Sequence, residues 1–350
     1  MKLAWRFGGR RKLSAFFDAF SSKQLPGILA GIGQPPVAKA EEFGAGRNAL
    51  VRRLVLADGR SLILRAYLAD PDKQPTASYW YLNRRLAERG FRMPTVHFRG
   101  LFPFPRGRTD VELLIEDFIQ GRTLTDSERD NNEIRHQAVK ALLDLHSDQS
   151  PRPGRPWLGK EGPDPIHGAI EKTPRRLDRV RQELPDVAPR QLQTCLAWLR
   201  ERVAQRPLPS SYELIHDDFN RENLLLMPDG RIVVIDLVTM AYGCFESDLV
   251  SARWMFFGEP WWREFCNEYF AAEPLRRERF AQTTPLFSAF FHLTKAARQA
   301  SSARKSIEKG RAEAAEAHRA KCRFHWEQLM LTIEGCAADQ PESPAPGNST

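Results

Sequence analysis

The sequence lacks the patterns that define three common classes of protein. Its five cysteines are widely separated and none forms a CxxC pair, which argues against a disulfide framework and against a zinc site. It has no run of about 18 apolar residues, so no segment is expected to span a bilayer. The N-terminal stretch MKLAWRFGGRRKLSAFF also lacks the apolar core of about 7 to 15 residues that a signal peptide needs. We therefore expect a soluble, cytoplasmic protein with reduced thiols.

What the sequence does contain is enough apolar material for a large buried core, since 42% of its 350 residues are hydrophobic. The formal net charge is +8, with a dense basic group in residues 2–12. This charge indicates either anionic partners or only a solvated surface. No basic-aromatic motif accompanies it, so we expect no nucleic-acid partner. The basic and aromatic residues 2–20 could also contact an anionic membrane surface as a peripheral segment.

The first third of the chain is predicted to form a small sheet with one helix. Two apolar stretches, Ala49 to Leu56 and Ser61 to Tyr67, are joined by an Asp-Gly dipeptide that favours the turn of a β-hairpin. The segment Thr76 to Arg89 has apolar residues at spacings of three and four, which is typical of a helix. A Pro-, Gly- and Arg-rich turn separates two further strands, Thr95 to Phe98 and Val111 to Phe118.

The rest of the chain is predicted to be mainly helical. The stretch IRHQAVKALLDLHS has one apolar face, and Gln191 to Ala204 and residues 285–333 also have helical patterns. Residues 151–175 are rich in Pro and Gly and are expected to form a surface excursion. The segment Tyr212 to Leu237 returns to short strands around a loop. The C-terminal PESPAPGNST is too polar and Pro-rich to pack, so we expect it to be disordered.

One stretch, LIHDDFNRENLLLMPDGRIVVIDLV, carries the residue types that phosphoryl transfer needs. It contains His216-x-Asp218-x4-Asn223 and, thirteen positions later, Asp236 inside an apolar run. A carboxylate placed after a strand, such as Asp218, can accept or orient the proton of an incoming hydroxyl. Asn223 and Asp236 offer oxygen ligands of the kind Mg²⁺ prefers. Each residue alone could be a turn residue, a helix cap or a strand-end acid, but their combination indicates phosphoryl transfer.

At these residues the sequence resembles the aminoglycoside phosphotransferase and choline kinase superfamily, over roughly residues 43–254. The resemblance implies an α+β, bilobal protein-kinase-like fold: a small N-terminal lobe with an antiparallel sheet and a helix, and a larger, mainly helical C-terminal lobe. We accordingly expect a helical basic segment at 1–36, a nucleotide-binding lobe at 37–118, a catalytic and acceptor-binding lobe at 119–338 and a disordered tail at 339–350.

The same resemblance assigns roles to the residues of the stretch. It implies that Asp218 is the catalytic base, that His216 supports the catalytic loop, and that Asn223 and Asp236 hold Mg²⁺, with ATP as co-substrate. Later in the chain, Gly243 and Asp248 also match positions of the family, and these positions are structural rather than catalytic.

The nucleotide is expected to contact two regions of the N-terminal lobe. The stretch FGAGRN resembles the family's nucleotide loop, in which glycines let backbone N–H groups approach phosphates closely. The stretch LLIEDFIQG resembles the hinge between lobes, whose backbone would meet adenine. The candidate nucleotide-binding residues are Gly44, Gly46 and Asn48 in the loop and Glu116, Asp117 and Phe118 in the hinge.

A departure from the family concerns the cation on the third strand. Many kinases have a lysine there, whereas this chain has Arg65, which keeps the charge and can engage phosphate oxygens through a forked group. It could instead be a surface residue of the strand. The helix at 76–89 has an acid only near its end, Glu88, so the usual ion pair is not evident. Glu41 or Glu42 could replace it, Arg65 could need no partner, or activity could be weak.

The acceptor is less clear from the sequence. Residues 151–210 contain twelve Lys or Arg and seven Asp or Glu, so we expect a neutral or anionic small-molecule acceptor rather than a polycationic one, if these charges face the cleft. The stretch RWMFFGEPWWREF could stack on a sugar or cage a quaternary amine, or could belong to the core. A sugar or amino alcohol is the expected acceptor. The alternatives are a kinase of lipopolysaccharide-core or envelope sugars and a catalytically inactive nucleotide-binding pseudokinase.

Overall fold

The computed structural model describes residues 2–43, 49–70, 74–104, 110–128, 130–253 and 259–338. The expected disordered tail, the nucleotide-loop residues Gly44, Gly46 and Asn48, and three of the clustered aromatics (Trp254, Phe256 and Phe257) lie outside the described residues.

The described residues form thirteen strands and ten α-helices. The strands are β1 Val37–Glu42, β2 Leu50–Leu56, β3 Ser61–Leu68, β4 Val96–Phe102, β5 Val111–Asp117, β6 Arg122–Thr123, β7 Gln149–Ser150, β8 Gly154–Arg155, β9 Lys160–Glu161, β10 Tyr212–Ile215, β11 Leu224–Leu226, β12 Ile232–Val234 and β13 Ala241–Gly243. The helices are α1 Lys2–Lys23, α2 Leu25–Gly31, α3 Pro75–Ala87, α4 Asn132–His146, α5 Pro165–Glu183, α6 Pro189–Gln205, α7 Phe245–Arg253, α8 Glu259–Ala272, α9 Leu275–Ile307 and α10 Ala312–Ala338.

The chain divides into two compact units, each discontinuous in sequence. Unit 1 takes Met1–Asp144, Arg155–Lys160 and Asn220–Met240, and unit 2 takes Leu145–Gly154, Glu161–Phe219 and Ala241–Thr350. The division separates an antiparallel sheet with its helices from a mainly helical part, which agrees with the expected α+β class. The lobe boundaries expected at residues 36 and 118 stay predictions.

A five-stranded antiparallel sheet in the order β1-β2-β3-β5-β4 is the framework of unit 1. The predicted hairpin is confirmed as β2 and β3, and Gly59 in its turn has φ +85°, a conformation that favours glycine. Because side chains alternate across a strand, Leu62, Leu64 and Ala66 of β3 face one side of the sheet and Arg65 faces the other.

Helices α1 and α2 cover the side of the sheet that carries Leu62, Leu64 and Ala66. The covering side chains are large and apolar and are 6% exposed or less: Leu13, Phe16, Phe17, Phe20, Leu25 and Leu29. The basic segment expected to be helical therefore contributes much of the core of unit 1. These aromatics stabilise the sheet, and peripheral membrane contact by residues 2–20 stays a prediction.

Helix α3 packs on the opposite side of the sheet from α1. Its apolar side chains Tyr79, Leu82 and Leu86 are buried, as the spacing predicts. Its first turn is held by the sheet, because the buried carboxylate of Glu112 on β5 accepts hydrogen bonds from the backbone N–H and the hydroxyl of Thr76, at 3.2 and 2.5 Å. The helix ends before Gly90, whose φ is +72°.

Unit 2 contains a helix where the sequence indicated a loop. Residues 151–175 were expected to form a surface excursion, but α5 begins at Pro165. Proline is compatible with the first helical position, where its missing N–H is not needed, and Asp164 caps the helix by accepting from the N–H of Ile166 at 2.9 Å. The expectation is therefore wrong from Pro165 onward, because the Pro-rich composition was interpreted as irregular structure.

The long helices of unit 2 pack on an aromatic core. Trp261 and Trp262 of α8 are 8% exposed or less and both contact the buried Phe265, and Phe280 of α9 contacts Trp262. Within the described residues these tryptophans are core side chains, which leaves them unavailable to stack on a ligand. No helix in the described part of the chain is long and apolar enough to cross a membrane.

Candidate active site

His216 and Asp218, the residues expected to belong to a catalytic loop, follow β10 in unit 2. The backbone N–H groups of His216 and Asp217 both donate to the carboxylate of Asp248, at 2.7 and 2.8 Å. Asp217 has φ +61°, so the loop turns sharply just before Asp218, and the carboxylate fixes this turn. Asp218 itself is half-buried.

Asp248 is completely buried at the start of α7, and two further side chains support it. His146 Nε2 lies 3.2 Å from Asp248 Oδ2, and His146 Nδ1 lies 2.8 Å from the hydroxyl of Tyr269. The structural role of Asp248 is thus to fix the backbone of the loop at His216 and Asp217. His146 and Tyr269 were not recognised from the sequence, and the only available signal was a histidine at the end of an apolar helix.

Gly243, the other position expected to be structural, lies opposite Glu213 of β10. A Cβ atom at Gly243 would lie 2.5 Å from Cδ1 of Ile215, which directly precedes His216. A larger residue would therefore force the end of the Ile215 side chain to move.

The proposed magnesium ligands belong to unit 1. Asn223 ends a short 3₁₀ turn, Arg221–Asn223, that Asn220 caps by accepting from the N–H of Glu222 at 2.9 Å. The carbonyl oxygen of Asn223 accepts a hydrogen bond from the N–H of Ile235 at 3.0 Å. Asp236 directly follows Ile235 and therefore lies next to this contact.

This proximity arises from the register of a hairpin. Strands β11 and β12 pair Leu224 with Val234, so the next pair outward is Asn223 with Ile235. Asp236 then leaves the strand in the left-handed conformation, with φ +63°. Such backbone strain is tolerated where surrounding structure enforces it, as at many functional sites.

An ion pair lies beside Asp236 in unit 1. Arg65 Nε donates to Glu116 Oε1 at 2.6 Å, and the Glu116 side chain is 2% exposed. Burial raises the pKa of Glu116, Arg65 opposes this rise, and the negative charge of Asp236 adds to it. Burial also raises the pKa of Tyr79, on which the charges of Arg65, Glu116 and Asp236 act as well. Helix α3, which carries Tyr79, also packs against the turn Leu237–Thr239 that directly follows Asp236, so Asp236 and the Arg65 pair lie in the same part of unit 1.

The acid that pairs with Arg65 is therefore Glu116, and the expectation that Glu41 or Glu42 could supply it is wrong. Glu41 pairs with Lys39 at 2.8 Å, and Glu42 with Arg52 at 3.1 Å. Both acids stand on the edge strand β1, whereas Arg65 points from the centre of the sheet toward α3.

The hinge residues have their own partners. The carboxylate of Asp117 binds His97 Nε2 at 2.6 Å, which contributes to the lowered pKa of Asp117 against the raising effect of burial. The ring of Phe118 packs edge-on against Phe43 at 5.5 Å, and the Arg53 guanidinium lies over it at 4.4 Å. Phe43 is the first residue of the stretch FGAGRN. Phe118 of the expected hinge therefore lies beside the start of that stretch.

The proposed magnesium ligands are one amide side chain and one carboxylate. In the described part of the chain no group of three or more His, Cys, Asp or Glu side chains could hold an ion. Mg²⁺ does not need such a group, because it keeps several waters and binds through one or two protein oxygens together with substrate phosphates. Asn223 and Asp236, brought together at the base of the hairpin, fit that requirement.

This fold, an antiparallel sheet with a helix followed by a mainly helical part, is the protein-kinase-like class. A family model described as the phosphotransferase enzyme family matches residues 39–281. The match spans more than half of the chain, and the chain belongs to this family. No curated protein sequence matches it.

Solved structures show the same fold at low identity. The aminoglycoside phosphotransferase APH(4)-Ia, in a complex with ADP and hygromycin B, has a TM-score of 0.56 at 16% identity, over 86% of this chain and 97% of that one. A Thermobifida fusca protein assigned as a fructosamine-3-kinase has a TM-score of 0.55 at 19% identity, over 88% and 99%. The gentamicin complex of APH(2")-IIa has a TM-score of 0.56 at 12% identity, over 88% and 98%.

Proposed function

We propose that this protein is a small-molecule kinase that transfers the γ-phosphoryl group of ATP to a hydroxyl, with Mg²⁺ as the cofactor. The observation that carries the proposal is the hydrogen bond between Asn223 and Ile235, which brings an amide ligand and the Asp236 carboxylate to the base of one hairpin. Asp218 precedes Asn223 by only five residues, on a loop fixed by Asp248.

In this proposal each residue has one task. The acceptor oxygen attacks the γ-phosphorus, its proton passes to the Asp218 carboxylate, and the bond from the γ-phosphorus to the bridging oxygen breaks, leaving ADP. Asn223 and Asp236 hold Mg²⁺, which would neutralise charge on the phosphate oxygens. Arg65 contacts the phosphates, and His216 supports the loop from its buried position.

Adenine is proposed to lie against the hinge at Glu116, Asp117 and Phe118, and the phosphates against the loop of Gly44, Gly46 and Asn48. The N–H of Asp117 donates to the carbonyl of Thr95 at 2.9 Å, whereas that of Phe118 makes a long contact of 3.4 Å with Ser61. The Phe118 N–H is therefore the hinge donor that a base can most easily recruit.

The acceptor is proposed to be a sugar or an amino alcohol. The excess of basic residues in 151–210 disfavours a polycationic acceptor. It is compatible with a more specific alternative, in which the acceptor is an envelope sugar such as one of the lipopolysaccharide core. The pseudokinase alternative rested on the arginine that replaces the strand lysine and on the missing acid partner. Glu116 supplies an acid partner for Arg65, which supports the active kinase over this alternative.

The test is a screen of sugars, amino alcohols and aminoglycosides with labelled ATP, using the wild type, Asp218→Asn and Asp217→Asn. The wild type is expected to label an acceptor, and Asp218→Asn to lower the transfer rate about 10²- to 10⁴-fold with nearly unchanged ATP affinity. Asp217→Asn is the matched control, because asparagine also tolerates the left-handed conformation. Full transfer by Asp218→Asn would contradict the role of the base.

A further inference from the structure

The ion pair of Arg65 is built within one sheet. Arg65 stands on β3 and Glu116 on β5, and these strands pair over seven residues, with Leu114 opposite Arg65 and Ile63 opposite Glu116. The two side chains are thus diagonal neighbours on the same side of the sheet, where side chains interact directly. Their separation is fixed by backbone hydrogen bonds of the sheet and does not depend on where α3 lies.

Helix α3 contributes an aromatic ring to this arrangement in place of an acid. The Arg65 guanidinium lies 5.7 Å from the centre of the Tyr79 ring, and Tyr79 is 1% exposed. A cation over an aromatic face is attracted by the ring and is held in orientation by it. Arg65 is accordingly oriented by Glu116 at its edge and by Tyr79 at its face.

Glu116 contacts Arg65 through Nε, the guanidinium nitrogen nearest the side-chain stem. This contact uses one of the five N–H donors of the guanidinium and leaves four for other partners, of which the Tyr67 hydroxyl is one. Lysine could not reproduce the arrangement, since its single nitrogen would have to serve both the acid and a phosphate.

Two polar atoms at this place have no hydrogen-bond partner among the described residues. They are Glu116 Oε2 and the Tyr79 hydroxyl, both fully buried. A buried polar atom without a partner is costly, and in native structures such atoms commonly belong to a site that a ligand or water completes. The Tyr79 hydroxyl, beside the positive charge of Arg65, can donate to a phosphate oxygen, whereas Glu116 Oε2 can only accept and would be completed by a water or another donor.

We propose that Glu116 is a positioning residue that orients Arg65 toward the nucleotide phosphates before the nucleotide arrives. The inference rests on the proposed function, because the nucleotide is the ligand. Because Arg65 and Glu116 stand on paired strands, the hydrogen bond between them is set by the sheet, and α3 adds only the contact of the Tyr79 ring.

The test compares the binding of magnesium-ADP and of adenosine by calorimetry, which requires no acceptor. Glu116→Gln is expected to raise the Kd for ADP about tenfold, because the amide oxygen still accepts from Arg65 Nε but the bond loses the charge of the carboxylate, and to leave the Kd for adenosine unchanged. The double variant Arg65→Gln/Glu116→Gln should bind ADP no more weakly than Arg65→Gln alone, because Glu116 acts through Arg65.

The matched control is Glu112→Gln, which alters another buried carboxylate four positions earlier, on the same side of β5. Glu112 binds Thr76 and not Arg65, so its loss should lower the melting temperature without changing the Kd for ADP. Arg65→Lys serves as a second variant, since it preserves both charges and thereby the fold. It should also weaken ADP binding, because it lacks Nε.

Each outcome has one meaning. If the wild type binds neither ligand, the proposed function fails, and the inference falls with it. If the wild type binds ADP and Glu116→Gln or Arg65→Lys binds it equally well, only the inference is overturned. Equal weakening of ADP and adenosine by Glu116→Gln would also overturn it, since that result indicates general damage to the site.

Discussion

The carbonyl oxygen of Asn223 and the amide of Ile235 are joined by a hydrogen bond of 3.0 Å that closes the base of the β11–β12 hairpin. Asp236, one residue beyond, bends away in the left-handed conformation. Helix α3, which carries Tyr79, packs against the 3₁₀ turn Leu237–Thr239 that follows. The β11–β12 hairpin thus carries the proposed metal ligands, and the turn that follows it contacts the helix whose Tyr79 packs on Arg65.

We expect Asp236→Asn to weaken magnesium-dependent ADP binding while leaving the melting temperature nearly unchanged. Asparagine adopts the left-handed conformation readily and keeps one oxygen, so only the charge is lost. Asp236→Ala should additionally lose about 1–2 kcal/mol of stability through backbone strain. Magnesium titrations in the presence of ADP measure the first effect, and thermal melts measure the second.

Asp229→Asn provides the control for these titrations, because Asp229 is an exposed acid in the turn of the same hairpin and pairs with Arg231. It should titrate magnesium as the wild type does. An Asp236→Asn protein with a wild-type magnesium requirement would remove Asp236 from the metal site.

We expect Asp248→Ala to destabilise the protein by about 2–5 kcal/mol and to lower phosphoryl transfer. The variant leaves the N–H groups of His216 and Asp217 without their acceptor and removes the partner of His146. Urea unfolding and the transfer rate are the measurements. The exposed Asp178→Asn should change neither quantity, and an Asp248→Ala protein of wild-type stability would show that the loop backbone finds other acceptors.

The parts of the fold that local patterns encode were predictable from the sequence. Leu50–Leu56 and Ser61–Leu68 match the predicted hairpin within one residue at each end, because alternation and an Asp-Gly turn specify it locally. Helix α3 at Pro75–Ala87 likewise matches the prediction within two residues. The boundaries are set by Pro75 and by Gly90, whose effects are also local.

Features that depend on tertiary register were not predictable. Arg65 and Glu116 are 51 residues apart, and their contact follows from the pairing of β3 with β5, which a pattern search along the helix at 76–89 could not find. The packing of α1 on the sheet was missed for the same reason. The spacing of Asp218, Asn223 and Asp236 was informative, but their convergence around a nucleotide stays a prediction.

We expect Phe20→Ala to destabilise unit 1 by about 3–5 kcal/mol. Phe20 is 3% exposed and packs against Phe16 at 5.4 Å and edge-on against Phe102 at 5.1 Å, so truncation leaves a cavity between α1 and the sheet. Urea unfolding measures the loss. The exposed Leu101→Ala is the control and should be nearly neutral, whereas a neutral Phe20→Ala would show that α1 does not stabilise the sheet.

We expect Arg206→Ala to destabilise unit 2 by about 3–5 kcal/mol, because it leaves a buried carboxylate unpaired. Arg206 lies 3.0 Å from Asp164, and the two side chains are 4% and 2% exposed. Asp164 also caps α5 and accepts from Tyr212, which its charge helps to keep protonated. The double variant Arg206→Leu/Asp164→Asn should recover part of the loss in urea unfolding; a double variant as unstable as the single one would exclude the buried charge as the cause.

The stability of the protein should depend on pH through a histidine pair in unit 2. His292 Nδ1 of α9 lies 3.1 Å from His325 Nδ1 of α10, so one ring donates and the other accepts, and both are neutral. Burial lowers the pKa of His292 to about 3, with added repulsion from His325 and Arg253. Burial and Lys295 lower the pKa of His325 to about 4.

The pH dependence arises because the pKa values of these histidines are lower in the folded protein than in the unfolded chain. The unfolded chain takes up protons on these histidines near pH 6.5, whereas the folded protein does not until about pH 4. Stability from the pair is therefore complete above pH 6.5 and is lost as the pH falls toward 4. Each proton contributes a slope of about 1.4 kcal/mol per pH unit within that window.

We expect His292→Gln/His325→Gln to flatten the pH dependence between pH 6.5 and 4, because glutamine can replace the hydrogen bond and does not titrate. Urea unfolding at half-unit steps of pH gives the slope for the wild type and the variant. His136→Gln, at an exposed histidine of α4, should keep the wild-type slope. If the double variant also keeps it, the neutral pair is not the origin of the acid sensitivity, and paired carboxylates must account for it instead.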